Sequence, residues 1–240
     1  ACLPLNNIDA ALEETRRAIV ELGFKGIFIQ TPIYNGSPRR TKPLDLPEFM
    51  PLYEMVSRYD LPVWIHPFRL SPIADYTTED ESKYGIYHVF GWPYDTTAAM
   101  TRLVFSGVLE RYPNLKIITH HCGALVPYLA DRIMGIYNYY EVTLKAKVSN
   151  LSRPPIEYFR MFYNDTALYG NTPALMCAHA FFGTEHLLFG TDVPYDIEQG
   201  SKYTRDTIQA IERMDIPDSE KQKIFADNAK TLLKLKIKGG

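Results

Sequence analysis

Apolar and polar positions along the chain fall into two alternating regimes. Short apolar runs at residues 2–5, 25–30, 62–66, 115–120, 160–164 and 186–189 are separated by longer stretches in which apolar residues recur every three or four positions. The first pattern predicts strands and the second amphipathic helices. Helices are expected over 10–22, 47–59, 96–111, 125–140, 173–181, 201–214 and 218–236. In the first of these, Leu12, Ala18, Ile19 and Leu22 share a face, and Asn6, Asn7 or Asp9 can cap its start. Strands alternating with helices give an α/β fold with a parallel sheet built from βαβ units. Residues 32–47 are expected to form a polar, proline-rich loop. The 67–95 stretch, rich in Tyr, Asp, Glu and Trp, is too long for a bare connector, and long loops of this kind are usually functional. With no internal repeat and no change of composition, one domain over 1–240 is expected.

Three of the apolar runs end on residues able to serve a metal or a proton. The first runs into His66-Pro67, the second into His120-His121-Cys122-Gly123, and the third into Gly190-Thr191-Asp192. Neutral imidazole is a common metal ligand, and a carboxylate binds a divalent ion or moves a proton. For each residue alone a structural explanation competes: a core histidine bonded to a carbonyl, a strand cap, an aspartate in a turn. On a continuous strand His120 and His121 face opposite sides. Alternation groups His121 with Ile117 and Thr119, and His120 with Lys116 and Ile118. Because a lysine in a packed interior is costly, His121 is expected to be the inward residue of the pair. Thr191 is a candidate to bond the Asp192 carboxylate, and Asp165 reads as a helix cap or a supporting residue. Arg132 can hold a carboxylate in bidentate fashion, and Trp92 and Tyr94 can shape a pocket. His88, His179 and His186 stand in no motif.

Composition narrows the picture by exclusion. The 240 residues carry a net charge of −2, which leaves no footprint for nucleic acid or an anionic membrane. The one basic cluster, Lys230, Lys234, Lys236 and Lys238, reads as a solvated helix face. No apolar run reaches the ~20 residues that span a bilayer. Cys2, Cys122 and Cys177 are far apart and form no disulfide framework, so a cytoplasmic location is expected.

The ordered motifs give more. Leu61-Pro62-Val63-Trp64-Ile65-His66-Pro67, Gly91-Trp92-Pro93-Tyr94-Asp95-Thr96-Thr97 and Tyr112-Pro113-Asn114-Leu115-Lys116 come first. His121-Cys122-Gly123-Ala124-Leu125-Val126-Pro127 follows, continuing through Arg132-Ile133. Phe189-Gly190-Thr191-Asp192 and Asn228-Ala229-Lys230-Thr231-Leu232-Leu233 close the set. In order and spacing they resemble the amidohydrolase-related decarboxylases, the group of aminocarboxymuconate-semialdehyde and γ-resorcylate decarboxylases. The resemblance implies a (β/α)8 barrel of the TIM type. It also implies one divalent metal ion, zinc or else manganese, a small carboxylate substrate, and a homodimer. By the same resemblance His66 and Asp192 match metal ligands, His121 the catalytic histidine, and Asp192 a partner in proton transfer. Arg132 matches a substrate-binding arginine, in some members across a dimer interface. Two departures stand out. Ala124 occupies the place of a carboxylate found in some members, and no HxH or ExH pair precedes His66. About six β/α units are therefore expected, as in a fragment lacking the first two, with two exposed sheet edges that favour self-association. The function expected is nonoxidative decarboxylation of an unsaturated or aromatic carboxylate. The alternatives are hydrolysis of a lactone, ester or amide, hydration at the same site, or a barrel fragment without activity.

Overall fold

The computed structural model describes residues 1–38 and 40–236, so Lys238 of the basic cluster lies outside the described residues. Helix α1 (Ile8–Arg16) starts where Asn7 accepts a hydrogen bond from the Ala10 amide at 3.1 Å, and it continues through a π-helical turn to Glu21. Strand β1 (Ile27–Thr31) follows. The segment expected as loop contains an antiparallel hairpin, β2 (Ile33–Ser37) with β3 (Arg40–Lys42). Apart from Ile33, which is buried, and half-buried Tyr34, its residues are polar, or glycine, and carry no apolar alternation that would reveal it. Helix α2 (Met50–Tyr59) leads to β4 (Val63–Pro67).

After the 67–91 excursion, α3 (Trp92–Phe105) begins earlier than expected. Pro93 sits in its first turn, where the missing N–H costs nothing. Gly107, at φ +79°, separates α3 from α4 (Val108–Arg111). Strand β5 (Ile117–Thr119) ends one residue before the expected boundary. Of the helix expected over 125–140, only α5 (Ala130–Asn138) and a following π turn form. Residues 160–162 are likewise not strand. Helix α6 (Pro155–Phe159) is started by Pro155, and β6 is only Tyr163–Asp165. Helix α7 (Thr172–Phe182), strand β7 (Leu187–Leu188), α8 (Ser201–Glu212), α9 (Asp218–Gln222) and α10 (Asn228–Leu232) complete the chain.

Strands β1, β4, β5, β6 and β7 lie side by side in chain order, every neighbouring pair parallel. The expected first strand is reduced to a single bridge from Cys2 to Phe28 on the outer side of β1. Among the described residues the sheet therefore has five strands and a bridge. Parallel strands in sequence order with helical crossovers are the (β/α) barrel arrangement.

The two sheet faces are packed differently. Ile27, Ile29, Val63, Ile65, Ile117 and Leu187 face the helices in the main core, with Leu52, Val56, Leu103 and Val104. On the other face Ile118 and Leu188 pack with Trp64, Tyr163 and Leu232. Lys116 is on this second face, at the amino end of β5, where Asp60 pairs with it at 2.6 Å and with Lys234 at 2.6 Å. Pairing removes the cost that was expected to keep this lysine off the face that bears the site.

Candidate metal centre

The register places the first two histidines. Ile65 of β4 pairs with Thr119 of β5, so the next residue on each strand, His66 and His120, emerges on the same face. Their ring centroids are 4.7 Å apart, and Phe28 of β1 stacks on His66 at 5.9 Å. The inward residue by alternation is thus His120, contrary to the expectation for this pair.

His121 reaches the site by leaving the strand. His121, Cys122, Gly123 and Ala124 all have positive φ, at 55°, 54°, 76° and 54°. This run of left-handed backbone turns the chain across the strand ends and carries the His121 ring to 5.6 Å from His66. Alternation stops applying once the chain is no longer extended, which is why both histidines of the pair face the centre. Asp165, at the end of β6, holds the turn. Its Oδ1 accepts from the amides of Ala167 at 3.0 Å and Cys122 at 3.3 Å, and its Oδ2 accepts from His120 Nδ1 at 2.8 Å. It is not the helix cap that was expected, since Asn171 caps α7, but a support for the site. Gly123 passes so close to α7 that an added Cβ would fall 2.6 Å from the Phe182 ring.

Asp192 arrives from β7. The Gly190 carbonyl and amide are both tied to the Thr166 hydroxyl, at 3.0 and 3.1 Å. The Asp192 carboxylate accepts from the Tyr169 hydroxyl at 2.8 Å; this bond, and not one from Thr191, is what fixes it. Asp192 Oδ2 lies 3.7 Å from His121 Nε2. One ligand atom each from His66, His121 and Asp192 fall within 4.8 Å of one another.

Electrostatics prepare these groups. Burial, reinforced by the neighbouring His120 and His121, pushes the His66 imidazole down to about 4, so it is neutral near pH 7 with a lone pair to offer. Burial opposes ionisation of Asp192, but the neighbouring His121 and the hydrogen bond from Tyr169 outweigh it and hold the carboxyl below its ordinary range. Asp165 follows the same pattern with His120 as its main partner. Two buried nitrogens, His120 Nε2 and His121 Nδ1, have no hydrogen-bond partner among the described residues. Such orphans are uncommon in folded proteins unless a ligand or ion meets them. Two imidazoles and a carboxylate form the donor set of a divalent transition-metal ion. The residues fit such an ion.

Around the cluster, Trp92 stands edge-on to His66 at 5.3 Å and 6.4 Å from His121, its Nε1 donating to the Arg69 carbonyl at 3.0 Å. Exposed His88, for which no role was expected, lies against Trp92 at 4.0 Å. The start of α3, just after the 67–91 excursion, therefore delivers an aromatic wall to the strand ends. Arg132 is not brought to the cluster: it is exposed on α5. His120 and Tyr169 were missed as site residues. His120 was excluded by the lysine argument, and Tyr169 carried no sequence signal, since its reach to Asp192 depends on how two loops meet. His179 and His186 serve elsewhere, bonded to Glu220 and Thr184 and to the Phe162 carbonyl.

Fold and site together define an α/β chain of barrel type with a candidate metal centre at its strand ends, and the comparison with known proteins makes this specific. Residues 1–235 match the family described as Amidohydrolase, and the chain belongs to it. It is 29% identical over 239 residues to γ-resorcylate decarboxylase of Polaromonas sp. (strain JS666), covering 98% of this chain and 69% of that protein. With 2-amino-3-carboxymuconate-6-semialdehyde decarboxylase of Dictyostelium discoideum it shares 28% identity over 233 residues, 97% of this chain and 60% of that one. Among solved structures, dihydroxybenzoic acid decarboxylase from Polaromonas sp. JS666, with bound manganese and the inhibitor 2-nitroresorcinol, superposes with a TM-score of 0.83 at 27% identity. That match covers 99% of this chain and 69% of the other.

Proposed function

We propose that this chain belongs to a metal-dependent, nonoxidative decarboxylase of an aromatic carboxylate. The observation that carries the reading is the meeting of His66, His121 and Asp192 at the carboxyl ends of parallel strands, in a chain related to γ-resorcylate decarboxylase. His66 and Asp192 would hold one divalent ion, with His121 beside them. Manganese is the first ion to test, being bound in the related structure, and zinc suits the same donors. When bound, the ion supplies a Lewis acid for the oxygen substituents of the substrate.

The protein's own residues account for the rest. Loss of carbon dioxide breaks the bond between ring carbon and carboxyl carbon and leaves the electron pair on the ring carbon, which then takes a proton. His121 is the group placed to move that proton, with the ionised Asp192 beside it and Tyr169 fixing that carboxylate. Trp92, anchored through its indole N–H, walls the aromatic substrate and limits access of water. Arg132, exposed on α5, is assigned to the substrate carboxylate in the neighbouring subunit of a homodimer. Exposed Tyr128, Tyr139 and Val142, on and around that helix, offer apolar surface for the contact. The three cysteines are all free thiols, in keeping with the reducing cytoplasm as the location.

The test supplies the protein with manganese and γ-resorcylate and follows carbon dioxide. Release is expected, lost on chelation and restored by the metal. His121→Ala is expected to lower the rate by about 100-fold or more. Oxygen uptake from labelled water without carbon dioxide would replace this reading with hydrolysis or hydration.

A further inference from the structure

Arg69 and Asp95 take no part in the mechanism above, yet they form a partly buried ion pair beside the aromatic wall. Arg69 Nη1 lies 3.3 Å from Asp95 Oδ1, and Asp95 Oδ2 is buried without a partner among the described residues. Burial pushes the Asp95 carboxyl above its ordinary range although Arg69 pulls it down, so ionising it costs stability. A buried pair that is not kept for stability can instead serve to fix geometry.

Its surroundings show which geometry that is. Backbone bonds pin the chain on either side of Arg69: the Phe68 amide donates to the Thr31 carbonyl at 2.8 Å, and the Leu70 amide to the Tyr34 hydroxyl at 3.1 Å. Between them the Arg69 carbonyl accepts the Trp92 indole N–H at 3.0 Å. The Arg69 side chain then crosses the start of α3 over Gly91, where an added Cβ would fall 2.4 Å from its Cδ. It ends at Asp95, in the first turn of the helix that carries Trp92. One residue thus holds both the indole nitrogen and the turn that bears the indole.

We propose that Arg69, seated over Gly91 and paired with Asp95, is the positioning residue that sets the Trp92 indole beside the metal centre. The proposal rests on the reading of Trp92 as a substrate wall and names what holds that wall. A ring fixed in advance meets a flat substrate without the cost of being ordered on binding. The pair therefore acts on affinity for the aromatic substrate and not on the metal.

The test uses the full chain with Trp64→Phe, which leaves Trp92 as the one remaining tryptophan of two. Gly91 is already helical at φ −67°, so Gly91→Ala suits the backbone and displaces only the Arg69 side chain. Arg69→Gln removes the charge, and Arg69→Lys restores it. Gly91→Ala and Arg69→Gln are expected to increase acrylamide quenching of Trp92 fluorescence. Both are also expected to weaken γ-resorcylate binding to the manganese-loaded protein by about tenfold, with manganese affinity unchanged. Arg69→Lys is expected to recover most of both properties. Quenching that stays at the parent level in Gly91→Ala and Arg69→Gln would overturn the proposal. Weaker binding with unchanged quenching would overturn it too, by making Arg69 itself a substrate contact. Carbon dioxide release is scored separately: raised quenching in the variants of a parent without turnover removes decarboxylation and keeps the hold of Arg69 on Trp92.

Discussion

Tyr169 is the residue on which the geometry of Asp192 depends most directly. Its hydroxyl is the hydrogen-bond donor to that carboxylate, and its ring is braced by Tyr203 at 4.3 Å. Groups that orient a metal ligand typically cost 10–100-fold in metal affinity when removed. Tyr169→Phe is therefore expected to weaken manganese binding by about tenfold or more while the fold is kept. A manganese titration followed by electron paramagnetic resonance checks it, and an unchanged affinity would show that Asp192 is positioned by other means. Sequence reasoning reached His66 and Asp192 because each closes an apolar run. It could not reach Tyr169, whose partner stands 23 positions away, beyond α7 and β7.

The turn after β5 is the element that makes the site. It carries His121 and braces Asp165 through the Cys122 amide, and it does so with four successive left-handed residues. Non-glycine residues in such conformations cost about 1–3 kcal/mol each. Gly123→Ala adds both that cost and a collision with Phe182 at 2.6 Å, so a loss of about 2–4 kcal/mol is expected in urea unfolding. Ala124, at φ 54° and ψ −119°, is in a region that suits glycine, and Ala124→Gly is expected to stabilise by about 1 kcal/mol. The same measurement checks both, and equal midpoints for the two variants would contradict the strain argument. The turn was hidden in the sequence because His121 was placed by extending the alternation of the strand past His120.

On the scale of the whole molecule, Asp60 ties together parts that are distant in sequence. It caps α2 in the left-handed region and pairs with Lys116, just before β5, and with Lys234 beyond α10. These two ammonium groups hold its carboxyl below the ordinary carboxylate range. The stability it contributes is complete above the unfolded value of about 3.9 and is lost as pH falls through the lower folded value. Asp60→Asn should flatten that acid limb in urea midpoints taken from pH 2 to 6, and an unaltered limb would assign it to other carboxylates. The homodimer proposal belongs to this scale as well. Sedimentation should give twice the chain's 27.5 kDa, and a monomer at micromolar concentration would remove the role given to Arg132.

The sequence by itself determined the strand and helix alternation and the parallel sheet, and it named His66, His121 and Asp192, the three residues that meet. Those features follow from local periodicity, which burial on one face imposes directly. It also carried the family, because the spaced motifs lie along nearly the whole chain. Only the tertiary structure decided that His120 and His121 both face the centre, and that the face shared by Lys116 and His120 is the one that bears the site. The reasons lie beyond local pattern: a left-handed turn ended the alternation, and Asp60, from another element, neutralised the lysine. The hairpin, the early start of α3 and the hold of Tyr169 on Asp192 were decided in the same way, by contacts between segments that no local window contains.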